Sequence, residues 1–157
     1  MQRKLFVLLP LIAIALAAPA DASAQHAEEQ AMKDVVIKVF DGMRALDTVM
    51  MKQTFAPGMR MYGVGENGQI QAMDPSGWLR GIGSTPAGTV IDEVLHDVEV
   101  RIDGPLAMVW TYYDLFVGEN FLHCGYDAFT LMKTQGEWKI VSVADTRRKE
   151  GCRQKRS

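Results

Sequence analysis

The stretch His123-Cys124-Gly125-Tyr126-Asp127 sets an imidazole, a thiol, a phenol and a carboxyl within five residues. Asp127 stands between Tyr126 and Ala128 with Phe129 two positions on. A carboxyl there is expected to be partly buried, which raises its pKa and suits a general base. The alternative is structural: Asp127 pairs with Arg147 or Arg148, or accepts a hydrogen bond from Trp110. His123 divides in the same way. It is either a proton carrier beside Asp127 or a hairpin residue packing against Arg148. Asp145 reads as structural, bonded to the terminal arginine pair. Cys124 and Cys152 are the only cysteines. In an oxidising compartment an isolated pair reads as a disulfide, which closes a loop here and stabilises by roughly 3–4 kcal/mol. A free Cys124 beside His123 is the other reading. Two cysteines and three scattered histidines offer no zinc spacing, and neither a metal nor a cofactor is expected.

The elements that must position these groups are readable from periodicity. Apolar residues from Ala27 to Met43 recur at helical spacing, and the helix ends near Gly42–Ala45. Asp47 is the expected N-cap of a short second helix that Pro57-Gly58 stops. Met59–Val64 and Gln69–Met73 flank Glu66-Asn67-Gly68, a hairpin signal. Asp74-Pro75 opens a helical turn carrying Trp78 and Leu79, before a glycine-rich loop from Gly81 to Gly88. Then come Val90–Ile102, Leu106–Val117, Phe121–Lys133 and Trp138–Arg148, four strands separated by turns. Helices first and antiparallel strands after give an α+β fold, a curved sheet with helices over one face. If the Gln135-Gly136 hairpin pairs Thr134 with Glu137, Asp127 faces Ala144 and His123 faces Arg148. One sheet face then carries His123, Asp127, Phe129, Ser142, Thr146 and Arg148. Trp110 and Tyr112 join that face if odd positions pair with even ones across the preceding hairpin. Such a face has an apolar floor and a polar end, as a ligand site does. The dispersed methionines Met50, Met51, Met59, Met61, Met73, Met108 and Met132 read as core filler.

The chain has 157 residues, 48% hydrophobic and 23% charged, with a formal charge of −2. That is one globular domain, neither disordered nor a disulfide-dense miniature. The average hides a leader. Arg3 and Lys4 precede an apolar run from Leu5 to Ala18, and Ala22-Ser23-Ala24 follows as a small-x-small cleavage signature. This reads as a secretory signal peptide over 1–24, too short in its apolar run to span a membrane. The expected organisation is leader 1–24, domain 25–152 and basic tail 153–157, with a periplasmic or secreted destination and no stable membrane insertion. From Arg147 to the end there are six bases and one acid, which leaves an acidic body unsuited to nucleic acid. The basic end is expected to be solvated and partly frayed.

The run from His123 to Leu131, the hairpin Gly136-Glu137-Trp138, then Asp145-Thr146-Arg147-Arg148 and Gly151-Cys152, resemble the nuclear transport factor 2-like superfamily. Within it, the residues look most like the branch labelled SnoaL-like or putative lumazine-binding. The resemblance spans Ala31 to Cys152 and implies a cone-shaped, strongly curved antiparallel sheet wrapped around N-terminal helices, a pocket between them, and often a homodimer. Its members include isomerases, cyclases, dehydratases and non-catalytic binders, so the site has to decide. Three functions are expected to compete. One is an exported binder of a small apolar or aromatic molecule, held by Trp110, Tyr112, Tyr62, Phe129, Ser142, Thr146 and Arg148. Another is an isomerase, cyclase or dehydratase with Asp127 as base, His123 assisting, and Tyr112 or Tyr62 as phenol donor. The third is a non-catalytic dimerisation module.

Overall fold

The computed structural model describes residues 20–64 and 68–156. Most of the expected leader, residues 1–19, lies outside the described residues, as does the tip of the first hairpin, 65–67. α1 (Ala20–Arg44) begins ahead of the expected cleavage position. No helix among the described residues is long and apolar enough to cross a membrane.

Met32, Val36, Val39, Phe40 and Met43 recur every three or four residues along α1 and are all buried. They form the stripe that a helix must bury against a second layer. α2 (Thr48–Gln53) is capped by Asp47, whose Oδ1 accepts from the Val49 and Met50 amides at 2.9 Å each. β1 (Phe55–Val64) and β2 (Ile70–Met73) form the expected hairpin. α2 ends at Gln53, already ahead of Pro57-Gly58, the pair expected to stop it. Pro57-Gly58 lies inside β1 as an irregularity between paired Phe55 and Arg60, where a proline without an amide proton is tolerated. α3 (Pro75–Gly83) has Asp74 as N-cap and Pro75 at its first turn, and it absorbs the start of the glycine-rich segment.

β3 (Ile91–Asp103), β4 (Leu106–Val117), β5 (Asn120–Thr134) and β6 (Glu137–Asp145) complete one six-stranded sheet in the order β2-β1-β6-β5-β4-β3. Only the β1–β6 pairing is parallel. The helix-covered face carries Ala107, Val109, Phe129, Leu131, Ile140 and Val143, which pack with the α1 stripe into the main core. This is the expected α+β cone. The methionine expectation holds in part: Met51 and Met59 are buried, whereas Met73, Met108 and Met132 are exposed.

Two β-bulges, at either side of the middle of β5, decide which side chains face the helices. The β5–β6 hairpin starts in the expected register, Thr134 with Glu137, and keeps it to Leu131 with Ile140. Val141 is then extra, and the next pair is Thr130 with Ser142. Asp127 therefore faces Asp145, not Ala144. In β5, Leu122 is extra between the pairs Phe116–Phe121 and Leu115–His123, so Trp110 pairs with Ala128. Each inserted residue turns every side chain beyond it to the opposite face.

The C-terminal segment is also not frayed. Residues 149–156 cross the outer face of β4 and β5 as a strap, fixed by the Cys124–Cys152 disulfide. The Arg153 amide donates to Tyr112 Oη at 2.9 Å and the Lys155 amide to Asp114 Oδ2 at 3.1 Å. Arg156 donates to the Gly118 carbonyl at 2.6 Å. Arg153 and Arg156 lie 4.3 and 4.2 Å from the ring centres of Tyr112 and Phe116. Residues 153–156 are thus packed on the domain.

Candidate functional site

Four adjacent strands each deliver a polar group to one end of the helix-covered face. β3 supplies Glu93, β4 Tyr113, β5 His123 and Asp127, and β6 Asp145, with Arg147 just beyond it. Asp127 is 4% exposed and directly opposite Asp145. Like charges in such a cross-strand pair repel. The repulsion is relieved in two ways. Arg147 Nε donates to Asp145 Oδ2 at 2.6 Å, and Asp127 shares a hydrogen bond with the Glu93 carboxyl. A hydrogen bond between two carboxyls requires a proton on one of them.

Burial, and then the charge of Asp127, push Glu93 well above the ordinary glutamate range. Burial raises Asp127 to about 7, with the hydrogen bond from Glu93 holding it down and Asp145 pushing it up. Glu93 consequently keeps the shared proton at neutral pH, and Asp127 titrates close to 7. Two interacting carboxyls of this kind titrate as a pair, and their environments set which is acid and which is base. Asp127 Oδ2 is buried and, apart from the proton that the carboxyl pair shares, no donor among the described residues reaches it. It is an acceptor held ready in a low-dielectric site.

Tyr113 completes the row. Its hydroxyl donates to the Thr146 carbonyl at 2.8 Å and lies 3.2 Å from His123 Nδ1. With the phenol proton committed to Thr146, Nδ1 carries the imidazole proton, which leaves Nε2 as an acceptor. Burial, followed by Arg147, lowers the His123 pKa, so the ring is neutral at pH 7. Burial raises Tyr113, helped by the charges of Glu93 and Asp127, so it stays a donor. Gly125 makes this approach possible. A Cβ there would run into the Thr146 carbonyl and within 3.0 Å of Tyr113 Cε1. Gly125→Ala should therefore cost about 1–3 kcal/mol in urea unfolding, as overpacked sites do. An unchanged midpoint would show that Thr146 moves freely.

Two spaces open on this row and share Asp145 and Arg147 as a common wall. The inner one, about 60 Å³, is walled by Phe40, Phe55, Met59, Trp78 and Phe129 over Asp127 and Glu93. Phe55 and Trp78 stack with centroids 6.4 Å apart. The outer one is a cleft of about 690 Å³ between the β1–β2 hairpin and the end of β6, bordered by Gln71, Met73, His123 and Lys149. The inner space holds only a few atoms, far below the several hundred Å³ of an ordinary ligand pocket. A ligand of ordinary size would have to place its tip inside and its body in the cleft.

Of the residues expected here, Asp127, His123, Phe129 and Tyr62 border these spaces. Asp127 is bonded to Glu93, and the arginine beside it is committed to Asp145. Trp110 and Tyr112 are on the outer face, contrary to expectation, because Leu122 shifts the register. Trp110 stacks on Tyr126 at 5.0 Å, and Tyr112 donates to Asp114 at 3.0 Å. Ser142 is turned to the outer face by Val141. Thr146 and Arg148 border the cleft, but the Thr146 hydroxyl accepts from the Tyr126 amide. The Arg148 guanidinium sits over the Tyr112 and Tyr126 rings at 5.7 and 5.8 Å. Arg148 also bridges to Cys124, not to His123. Asp145 does bond an arginine as expected, yet it faces the site. Glu93 and Tyr113 were not expected in it, and Arg147, expected only as an ion-pair partner of Asp127, pairs with Asp145 instead. The alternation Ile91, Glu93, Leu95 was the available signal for Glu93, a carboxyl on an apolar strand face.

A family profile described as "Putative lumazine-binding" matches residues 27–144, which includes all six strands but for the last residue of β6, and both members of the carboxyl pair. The chain belongs to this family. Solved structures agree on the fold. An NTF2-like protein with a cystatin-like fold from Novosphingobium aromaticivorans superposes with a TM-score of 0.66 at 12% identity, over 85% of this chain and 90% of that one. A "putative scytalone dehydratase" from the same organism gives 0.66 at 13%, over 81% and 88%. An NTF2-like protein from Shewanella baltica gives 0.60 at 19%, over 78% and 95%. No curated protein matches the chain. At these identities the likeness of the structures concerns the NTF2-like fold alone.

Proposed function

We infer that this member of the putative lumazine-binding family binds a small, flat organic molecule. A hydroxyl or ring N–H of the ligand donates to Asp127 Oδ2, and its body lies in the outer cleft. The buried Asp127 Oδ2, which no donor among the described residues reaches apart from the proton shared with Glu93, carries this reading, since such an atom is costly to keep under-bonded. The aromatic walls Phe55, Trp78 and Phe129 suit a planar tip. The reading includes export. An intramolecular disulfide supports an oxidising compartment, periplasmic or extracellular. Native mass spectrometry of the protein purified from its own host, against the denatured sample, tests the reading. One released small molecule of constant mass is expected. A chain that is empty in every preparation, and that also fails to bind flat N–H heterocycles such as lumazine, would remove it.

A catalytic reading is favoured by a separate observation. Asp127 titrates near 7, where a general base is most effective, and Glu93 stands beside it with a proton. Asp127 would take a proton from a carbon or oxygen of the bound tip. The Glu93–Asp127 pair would return it to a neighbouring atom, as isomerisation or dehydration requires.

A further inference from the structure

Besides Asp127 Oδ2, one further buried polar side-chain atom among the described residues has no hydrogen-bond partner: His96 Nε2. It lies on the opposite side of the sheet, beneath the C-terminal strap, in a second polar cluster that the carboxyl site does not use. Its centre is Asp114, which is wholly buried. Tyr112 donates to Oδ1 at 3.0 Å and the Lys155 amide to Oδ2 at 3.1 Å. His96 Nε2 is 3.4 Å from Oδ2 without donating to it. Cys124 stands directly across from Asp114 on β5, and the strap brings Cys152 to the same place. A carboxylate oxygen of Asp114 and both sulfurs lie within 4.8 Å of one another.

We propose that the Cys124–Cys152 bond masks a metal site. When it is reduced, the two thiolates and the Asp114 carboxylate form a three-donor set for a zinc-class divalent cation, and His96 Nε2, 3.4 Å from Asp114 but outside that group, swings in as the fourth donor. Two sulfurs, one imidazole and one carboxylate are the donor types that zinc takes in tetrahedral sites. The His96–Asp114 separation of 3.4 Å equals the edge of a tetrahedron whose metal–nitrogen and metal–oxygen bonds are about 2.1 Å. The sulfurs must part by about 1.7 Å from their bonded distance to meet zinc at about 2.3 Å each. Cys152 lies in irregular chain next to Gly151 at φ +65°, so that movement breaks no strand pairing. After reduction the strap keeps its amide hydrogen bonds to Tyr112 and Asp114 and its surface arginine contacts, ties weak enough that the cation itself must hold Cys152 in place. The cation would also neutralise a wholly buried carboxylate whose ion-pair contact among the described residues is to His96.

The chemistry balances simply. A dithiol reductant gives two electrons and two protons to the disulfide and leaves as its own disulfide. Metal binding then displaces the two thiol protons. Bond and metal exclude one another, so the cluster is a clamp with two forms. Sequence spacing conceals it, since its donors come from β3, β4, β5 and the strap.

The test is titration of the full chain with cobalt(II), once oxidised and once reduced with a non-chelating phosphine. The reduced protein should bind one equivalent with a sulfur-to-cobalt charge-transfer band, and the oxidised protein should show none. Cys152→Ser should lose about half of that band, in line with one thiolate in place of two. Asp114→Asn and His96→Gln should each weaken cobalt binding roughly tenfold or more, as loss of a donor does. If Asp114→Asn does not fold, His96→Gln decides alone, since its ring is at the edge of the cluster. The proposal fails if the reduced protein unfolds without taking metal, or if it shows no band while folded. It also fails if the folded donor variants bind as tightly as the parent.

Discussion

Asp127→Asn should flatten the pH dependence of stability and abolish any turnover while leaving the fold intact. A carboxyl whose folded pKa is raised binds its proton more tightly folded than unfolded. Its contribution is fully present below about pH 4 and is lost as pH rises through about 7. Glu93 is shifted in the same direction, so the two add. The parent should therefore lose stability from pH 4 to 8, by at most about 1.4 kcal/mol per pH unit for each proton released. The substituted amide cannot ionise, and Glu93 then loses the neighbouring charge that helps to raise it. Urea unfolding at pH 4, 5, 6, 7 and 8 should show a shallower slope for the variant. A parent whose stability does not change across that window would contradict the buried pair. For the molecule recovered from the pocket, turnover should fall by about 10²–10⁴ if Asp127 moves a proton. A parent without turnover, and affinity of the variant within about tenfold, would mark a binder held by its apolar contacts.

The site and the fold were legible to different degrees for one physical reason. Local signals announce themselves. Asp47 and Asp74 cap their helices through their own side chains, and the β4 limits and the Thr134–Glu137 hairpin lie where turn residues put them. Residue alternation carries this information only until the first inserted residue. Leu122 and Val141 have no sequence mark, yet each reverses the faces beyond it. Tyr112 was thereby exchanged for Tyr113 in the expected site, and Ser142 for Val143. Asp127 and His123 survived because both lie on β5 between the bulges, in a register independent of their neighbours. The parallel β1–β6 pairing joins segments about 80 residues apart and leaves no local trace. Glu93 was hidden for a similar reason: only the pairing of β3 with β4, and β4 with β5, brings it to Asp127.

Replacing both cysteines by serine should cost about 3–4 kcal/mol, which is the loop-closure entropy of a cross-link between residues 28 apart. The loss should fall unevenly over the molecule. The strap's remaining ties are two backbone hydrogen bonds to Tyr112 and Asp114, and arginine contacts at the surface. Exposed ion pairs of that kind contribute little. The strap should thus open well below the free energy of global unfolding, uncovering Tyr112, Asp114 and the amides of β4. The main core lies on the other face of the sheet and contains neither cysteine. Hydrogen exchange should therefore show fast exchange for residues 149–156 in the double variant, with β5 and β6 amides around Phe129 and Val143 protected nearly to the global limit. The proposed ligand binding at Asp127 should persist, since Arg147 and Asp145 precede the strap and keep their own bond. Equal loss of protection across both faces would mean that the strap and the carboxyl site open together, and that the sheet does not insulate one from the other.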